Sequence, residues 1–239
     1  MKIDIWSDFA CPFCYIGERR LQKAINLFPY KDDITVSFKS FELDPTASNY
    51  TGIGITEALA QKYDVSVEEA AAMNQQIAEQ ASGVSLDFDF DKMKPTNTRN
   101  AHRLAKYAAI KGLEAELVEK LFQAYFTEGK VLSDLDVLVE IGTSIGLEEA
   151  ELKTVLNNPD AFVREVCLEE EAAGKLGINS VPFMVINDKY VIKGAQPLAT
   201  FSGALQQVWE EEHPNPQFEE LLSVNTESQY CEGGRCRFK

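Results

Sequence analysis

The chain has 239 residues, 38 of them acidic and 23 basic, for a net charge of −15. This balance excludes a surface built to bind nucleic acid or an anionic membrane, because phosphate recognition needs clustered Lys and Arg. With 45% hydrophobic residues, a chain this long buries roughly 70–75% of its unfolded surface and needs no disulfide staples to hold a core.

The first predicted element is a short strand at residues 2–6, where Ile3 and Ile5 alternate with Lys2 and Asp4. Cys11, Pro12, Phe13 and Cys14 follow, and Tyr15, Ile16, Leu21, Ala24, Ile25 and Phe28 then recur at helical spacing. The cysteine pair therefore sits where a strand passes into a helix. Residues 34–43 form a second β-type run, with Val36 and Phe38 spaced for a buried face and Asp44-Pro45 ending it. From 56 to 175 the pattern is helical almost throughout, with segments at 57–63, 66–81, 98–111, 114–127, 134–145, 148–156 and 160–175. Ser66 to Glu69 reads as a capping box, and Gly112, Gly129 and Gly146 read as helix stops. Only 83–95 reads as an extended loop.

β character returns at Ser180–Asn187 and Tyr190–Lys193, which a turn joins into a hairpin, and an amphipathic helix within 194–212 closes the pattern. Residues 1–55 and 176–212 thus read as one α/β domain split by a helical insertion at 56–175, followed by a polar tail at 213–239. Met1 to Asp8 carry charges and lack the apolar stretch of a signal peptide. The longest uncharged run, Gly194 to Trp209, contains Pro197 and glutamines, which does not suit a membrane span. A reducing cytoplasm is the expected compartment, and there paired cysteines read as redox-active or metal-binding.

The five cysteines fall into a pair, a singleton and a pair: Cys11 and Cys14, Cys167, then Cys231 and Cys236. At a helix start, unpaired backbone N–H groups and the positive end of the dipole favour a thiolate, and Pro12 loses no hydrogen bond in the first turn. Cys11 is the expected solvent-facing nucleophile, and Cys14, one turn on, the resolving thiol. The same spacing also suits half of a zinc site, although no second Cys or His pair lies near it in sequence. Val181-Pro182 opens a strand with a residue that cannot donate to a ladder, which places it at an edge or a special turn.

Four segments carry a resemblance: Trp6-Ser-Asp-Phe-Ala-Cys-Pro-Phe-Cys-Tyr-Ile-Gly17, Phe41-Glu-Leu-Asp-Pro45, Asn97-Thr-Arg-Asn-Ala-His-Arg-Leu104 and Gly177-Ile-Asn-Ser-Val-Pro-Phe183. They are similar to the DsbA-like branch of the thioredoxin superfamily. Within it they resemble the FrnE-like oxidoreductases, relatives of 2-hydroxychromene-2-carboxylate isomerase. The resemblance implies a thioredoxin fold with a large helical insertion and a protein disulfide oxidoreductase. It implies Cys11 as nucleophile with Cys14 as its partner, no cofactor, and a cis Val181-Pro182 bond packed against the pair. Pro12, Phe13, Val181 and Pro182 are expected to meet substrate. Phe13 stands where DsbA has histidine, which removes one stabiliser of the thiolate and implies a less oxidising couple. The isomerases typically carry serine at the first motif position, so the presence of both cysteines favours dithiol exchange.

His102 reads either as a residue lining a substrate groove near Cys11 or as a buried histidine tying the insertion to the sheet. Cys231 and Cys236 flank two glycines that allow a tight turn, beside Arg235, Arg237 and Lys239. They read as an auxiliary redox pair of the kind the FrnE-like resemblance implies, as two exposed thiols, or, with Cys11 and Cys14, as zinc ligands. Cys167 shares a helix face with Phe162, Val163 and Val166 and is expected to be buried and inert. Expected partners are proteins with thiols or disulfides, or small thiols such as glutathione, acting on a monomer or homodimer. A glutathione-dependent isomerase or transferase and a zinc-stabilised binding or chaperone module are the competing readings.

Overall fold

The computed structural model describes residues 1–47 and 52–214 in full and, in the tail, the backbone of residues 230–232 and 235–237. Strand β1 (Lys2–Ser7) runs through α1 (Pro12–Leu27) to β2 (Thr35–Ser40), which pairs parallel to it. The hairpin of β3 (Phe183–Ile186) and β4 (Tyr190–Lys193) adds antiparallel on the other side of β1, giving the strand order β2-β1-β3-β4. Alternation puts Ile3 and Ile5 of β1 on one face of this sheet, in the same core as Phe28 of the α1 end and Phe201 and Leu205 of α9 (Leu198–Glu212). Trp6 lies on the other face, with Phe183 of β3 and Ala173 of α8 (Val163–Lys175).

Asp4 departs from the simple alternating pattern, because it is buried rather than solvated. Lys2 at 2.6 Å and Lys39 at 3.6 Å pair with it, which meets the requirement that a buried charge have a partner.

Among the described residues between β2 and β3 come seven helices: α2 (Ile55–Tyr63), α3 (Val67–Ser82), α4 (Arg99–Ile110), α5 (Glu114–Phe126), α6 (Leu135–Ser144), α7 (Glu149–Asn157) and α8. The Ser66 capping box forms in full, with Glu69 N–H donating to Ser66 Oγ and Ser66 N–H to Glu69 Oε2. Helix α8 begins three residues later than its periodicity predicts, because Phe162 at its N-cap takes a left-handed φ of 58°. Cys167 is half-buried rather than buried: Val166 and Ala173 fill the inward stripe of α8, and position 167 is one step round the helix. Gly129 carries φ +68°, and a Cβ there would lie 2.6 Å from the Lys92 carbonyl oxygen. Only glycine lets the end of α5 close onto the 83–98 loop.

Helices α4, α5 and α8 also seal the open edge of β2. Glu114 accepts the Phe38 N–H at 3.2 Å, Glu169 accepts the Ser40 N–H at 2.7 Å, and Lys106 donates to the Phe38 carbonyl at 2.6 Å. Lys106 also pairs with Glu114 at 3.3 Å and Glu169 at 2.9 Å. An edge strand normally leaves such groups to water or to another chain; here charged side chains take them.

Replacing Lys106 by Met removes the ammonium shared by two largely buried carboxylates and leaves the Phe38 carbonyl without this donor; Glu114 and Glu169 keep their backbone N–H donors, and Glu169 keeps Lys39 at 3.7 Å. The substitution is expected to cost about 3 kcal/mol, read as a lower urea midpoint, whereas a loss below about 0.5 kcal/mol would show that the seal contributes nothing.

Candidate active site

The site is built where β1 ends. The Cys11 N–H donates to the Asp8 carbonyl at 3.0 Å, closing a turn that sets Cys11 as the N-cap of α1, with Pro12 as the first helical residue. Cys11 makes no side-chain capping bond, and as N-cap it sits at the positive end of the α1 dipole. Cys14 is bound to it by an N–H to Cys11 carbonyl bond of 3.0 Å. Both are free thiols in this structure.

The two sulfurs are not equivalent. Cys14 is 1% exposed and Cys11 5%. Burial in the first place, and the neighbouring Cys11 sulfur in the second, push the Cys14 thiol well above the ordinary range, while the Asp8 backbone N–H and Ser7 hydroxyl act the other way. The expectation that Cys11 faces bulk solvent needs correction. It is a buried residue that lines a groove of about 320 Å³.

Pro12 and Phe13 border that groove with Leu43 from the loop after β2, Tyr63 from α2 and Met73 from α3. Phe13, Leu43, Tyr63 and Met73 are all exposed large apolar side chains. A cluster of this kind marks a binding surface more often than chance exposure does.

The Val181–Pro182 peptide bond is cis, and the Val181 carbonyl lies 3.7 Å from Cys11 Sγ. Two features of α1 that periodicity does not reveal seat this loop. A Cβ at Gly17 would lie 3.1 Å from Pro182 Cγ and 3.4 Å from Ala195 Cα, so glycine admits the loop against the helix. One turn on, Arg20 donates to the Ala195 carbonyl at 2.5 Å. A glycine inside an amphipathic helix was the available signal.

Asp8, 2% exposed, fixes the loop on the other side. Its carboxylate accepts the Leu43 N–H at 2.7 Å and the Ala10 N–H at 3.3 Å, and lies 3.6 Å from His102 Nε2. Burial pushes the Asp8 carboxyl up, but His102 and the Leu43 N–H outweigh it and hold the group below the ordinary carboxylate range. His102 does not line the groove: it is 3% exposed, its ring packs 4.8 Å from Phe9, and it faces Asp8 on the inner side of the motif. The reason is the depth of α4, whose neighbouring Ala101, Leu104 and Ala105 are all buried.

Cys231 and Cys236 occupy directly opposed positions in the paired strands β5 (Tyr230–Glu232) and β6 (Arg235–Arg237); their side chains lie outside the described residues, as does a zinc site drawn from them. Among the described residues no group of three or more His, Cys, Asp or Glu side chains is arranged to hold a metal ion.

Glu18 on α1 is a half-buried carboxylate whose buried Oε2 lacks a hydrogen-bond partner. Burial, then the charge of Glu119, push it up to about 7 from an ordinary value of 4.5, against the opposing charge of Arg19. The folded chain therefore holds this proton more tightly than the unfolded chain. The associated stability is complete below pH 4.5 and is lost as pH rises through about 7, about 3 kcal/mol over the window. Glu18→Gln is expected to remove that slope, measured by urea denaturation across the window; parallel curves for the two chains would refute the assignment. Gly17→Val is expected to displace Pro182 and Ala195 and to cost about 1–3 kcal/mol by overpacking, read as a lower urea midpoint; an unchanged midpoint would show that the close approach carries no constraint.

Residues 2–206 match the family model of the DSBA-like thioredoxin domain. A solved probable DsbA oxidoreductase from Streptomyces coelicolor is 32% identical, with a TM-score of 0.84 over 100% of this chain and 99% of that one. The protein YwbO of Bacillus subtilis, itself uncharacterized, is 27% identical over 86% of this chain and 96% of its own length. The cytosolic disulfide reductase DsbM from Pseudomonas aeruginosa, solved with GSH, shares the fold at 15% identity and a TM-score of 0.62, covering 88% and 100% of the two chains. With the motif at the helix start, the cis proline beside it and a family match over most of its length, the chain belongs to the DSBA-like thioredoxin domain family.

Proposed function

We propose that the chain is a thiol–disulfide oxidoreductase that works through Cys11 and Cys14 on protein substrates or small thiols such as glutathione. The observation that carries the reading is the placing of Cys11 Sγ at a helix N-terminus, 3.7 Å from the Val181 carbonyl and backed by the buried Cys14. The Cys11 thiolate attacks one sulfur of a substrate disulfide, forming a mixed disulfide and expelling the other sulfur as a thiolate that takes up a proton. Cys14 then gives up its proton and attacks Cys11 Sγ. That closes the Cys11–Cys14 disulfide and releases the second substrate thiol, so two electrons pass to substrate. The reverse sequence oxidises a dithiol. Because burial holds the Cys14 proton, the resolving step waits until the mixed disulfide has formed.

Cys231 and Cys236 are the auxiliary pair in this scheme, exchanging electrons with Cys11–Cys14; their opposed positions on paired strands suit a reversible bond between them. A glutathione-dependent isomerisation would use Cys11 alone and leave Cys14 without a part.

Cys14→Ser is expected to accumulate mixed disulfides through Cys11, visible as reducible adducts by mass spectrometry, and to lose at least about a hundredfold in turnover. Cys11→Ser is expected to form none. Full activity in Cys14→Ser would replace this reading with the monothiol one.

A further inference from the structure

The groove that Cys11 lines adjoins a second cavity. The apolar groove reaches from Cys11 to Asn74 and Phe90, and these two residues also line a second cavity of about 390 Å³. Its chemistry is different. Residues 86–91 alternate, with Leu86 and Phe88 buried and Asp87, Asp89 and Asp91 on the cavity side. Among the described lining residues Lys92 is the one cation against three carboxylates; it pairs with Asp89 at 2.7 Å and also feels the charge of Asp87, so the cavity keeps a surplus of negative charge.

The wall adds an independent observation. Asn74 is 3% exposed and donates from Nδ2 to Thr56 Oγ1 at 3.0 Å, but its Oδ1 has no hydrogen-bond partner. A buried amide oxygen left in that state costs about 1–3 kcal/mol. A ligand that brings a donor to this wall recovers that cost.

We propose that the second cavity is a cation-accepting subsite, and that the substrates are extended peptide segments carrying Lys or Arg beyond an apolar residue that fills the groove. This rests on the reading of Cys11 and Cys14 as an exchange pair. It favours cationic protein segments over glutathione, which has one ammonium but two carboxylates and a net negative charge, because among the described groove-lining residues Lys62 is the one cation and the adjoining cavity is acidic. An ammonium or guanidinium there meets a lining with three carboxylates to one ammonium, and an amide oxygen lacking a donor.

Binding of fluorescein-labelled peptides, measured by anisotropy on the full chain, tests this without requiring turnover. Each peptide has Ser in place of its cysteine, Leu beside it, and either Lys or Glu scanned through the positions that follow. At the best position the Lys peptide is expected to bind at least about tenfold more tightly than its Glu counterpart, equivalent to about 1.4 kcal/mol. The ratio is expected to fall below about threefold in Asp87→Asn/Asp91→Asn, and a ratio taken within one variant is independent of how much of it is folded. A wild-type ratio below about threefold, a ratio that survives the double substitution, or no binding of either peptide at millimolar concentration overturns the subsite. Failure of the exchange reading shows separately, as absent turnover of hydroxyethyl disulfide by the wild type.

Discussion

Cys11 and Val181 are 170 positions apart, and the site exists only because Cys11 Sγ and the Val181 carbonyl meet at 3.7 Å. Each side of the contact is held locally. Cys11 is fixed by the turn onto the Asp8 carbonyl and by its place as N-cap of α1, and Val181 by the strand that pairs Phe183 with Trp6. What brings the two together is the omission of a side chain at Gly17 and the grip of Arg20 on the Ala195 carbonyl. A helix N-terminus can favour a thiolate in any protein; what sets this one apart is the buried second thiol behind it and the Val181 carbonyl that the Cys11 thiol reaches from across the fold.

The helical insertion serves this contact from the far side. Its aromatic residues continue the core behind the motif, with Tyr15 of α1 stacked on Phe122 at 4.8 Å and Phe88 on Phe126 at 4.6 Å. Lys106, Glu114 and Glu169 clamp the insertion to the sheet edge, and Asp8 joins the nucleophile loop to Leu43 at the groove rim. The groove therefore has one wall from the segment before the insertion and another from the insertion itself. Displacement of either wall changes the groove without touching a catalytic atom.

Much of this frame can be read from residue order. Helical spacing after Cys14, the alternation at Ile3 and Ile5, and the Ser66 capping box are local patterns, and the elements they predict lie within a few residues of those observed. The parts that cannot be read depend on partners far away in the chain. Asp4 looks like a solvated residue until Lys39 arrives from a neighbouring strand. Asp8 gives no hint of its bond to an N–H 35 positions on. His102 sits on a helix whose polar-looking residues His102, Arg103 and Lys106 are all buried, so periodicity could not tell a groove residue from a core one. Tyr63 and Met73 carry no pattern that identifies the loop they face.

The exposed rim of Phe13, Leu43, Tyr63 and Met73 has a colloidal consequence. A sticky mouth that must stay open to substrate is equally open to the mouth of another copy. The same chain carries a net charge of −15, and long-range repulsion between like-charged copies acts well before apolar rims come into contact. The acidity that first served only to exclude nucleic-acid binding thus keeps the molecules dispersed, and it lets the protein keep an adhesive entrance without aggregating through it.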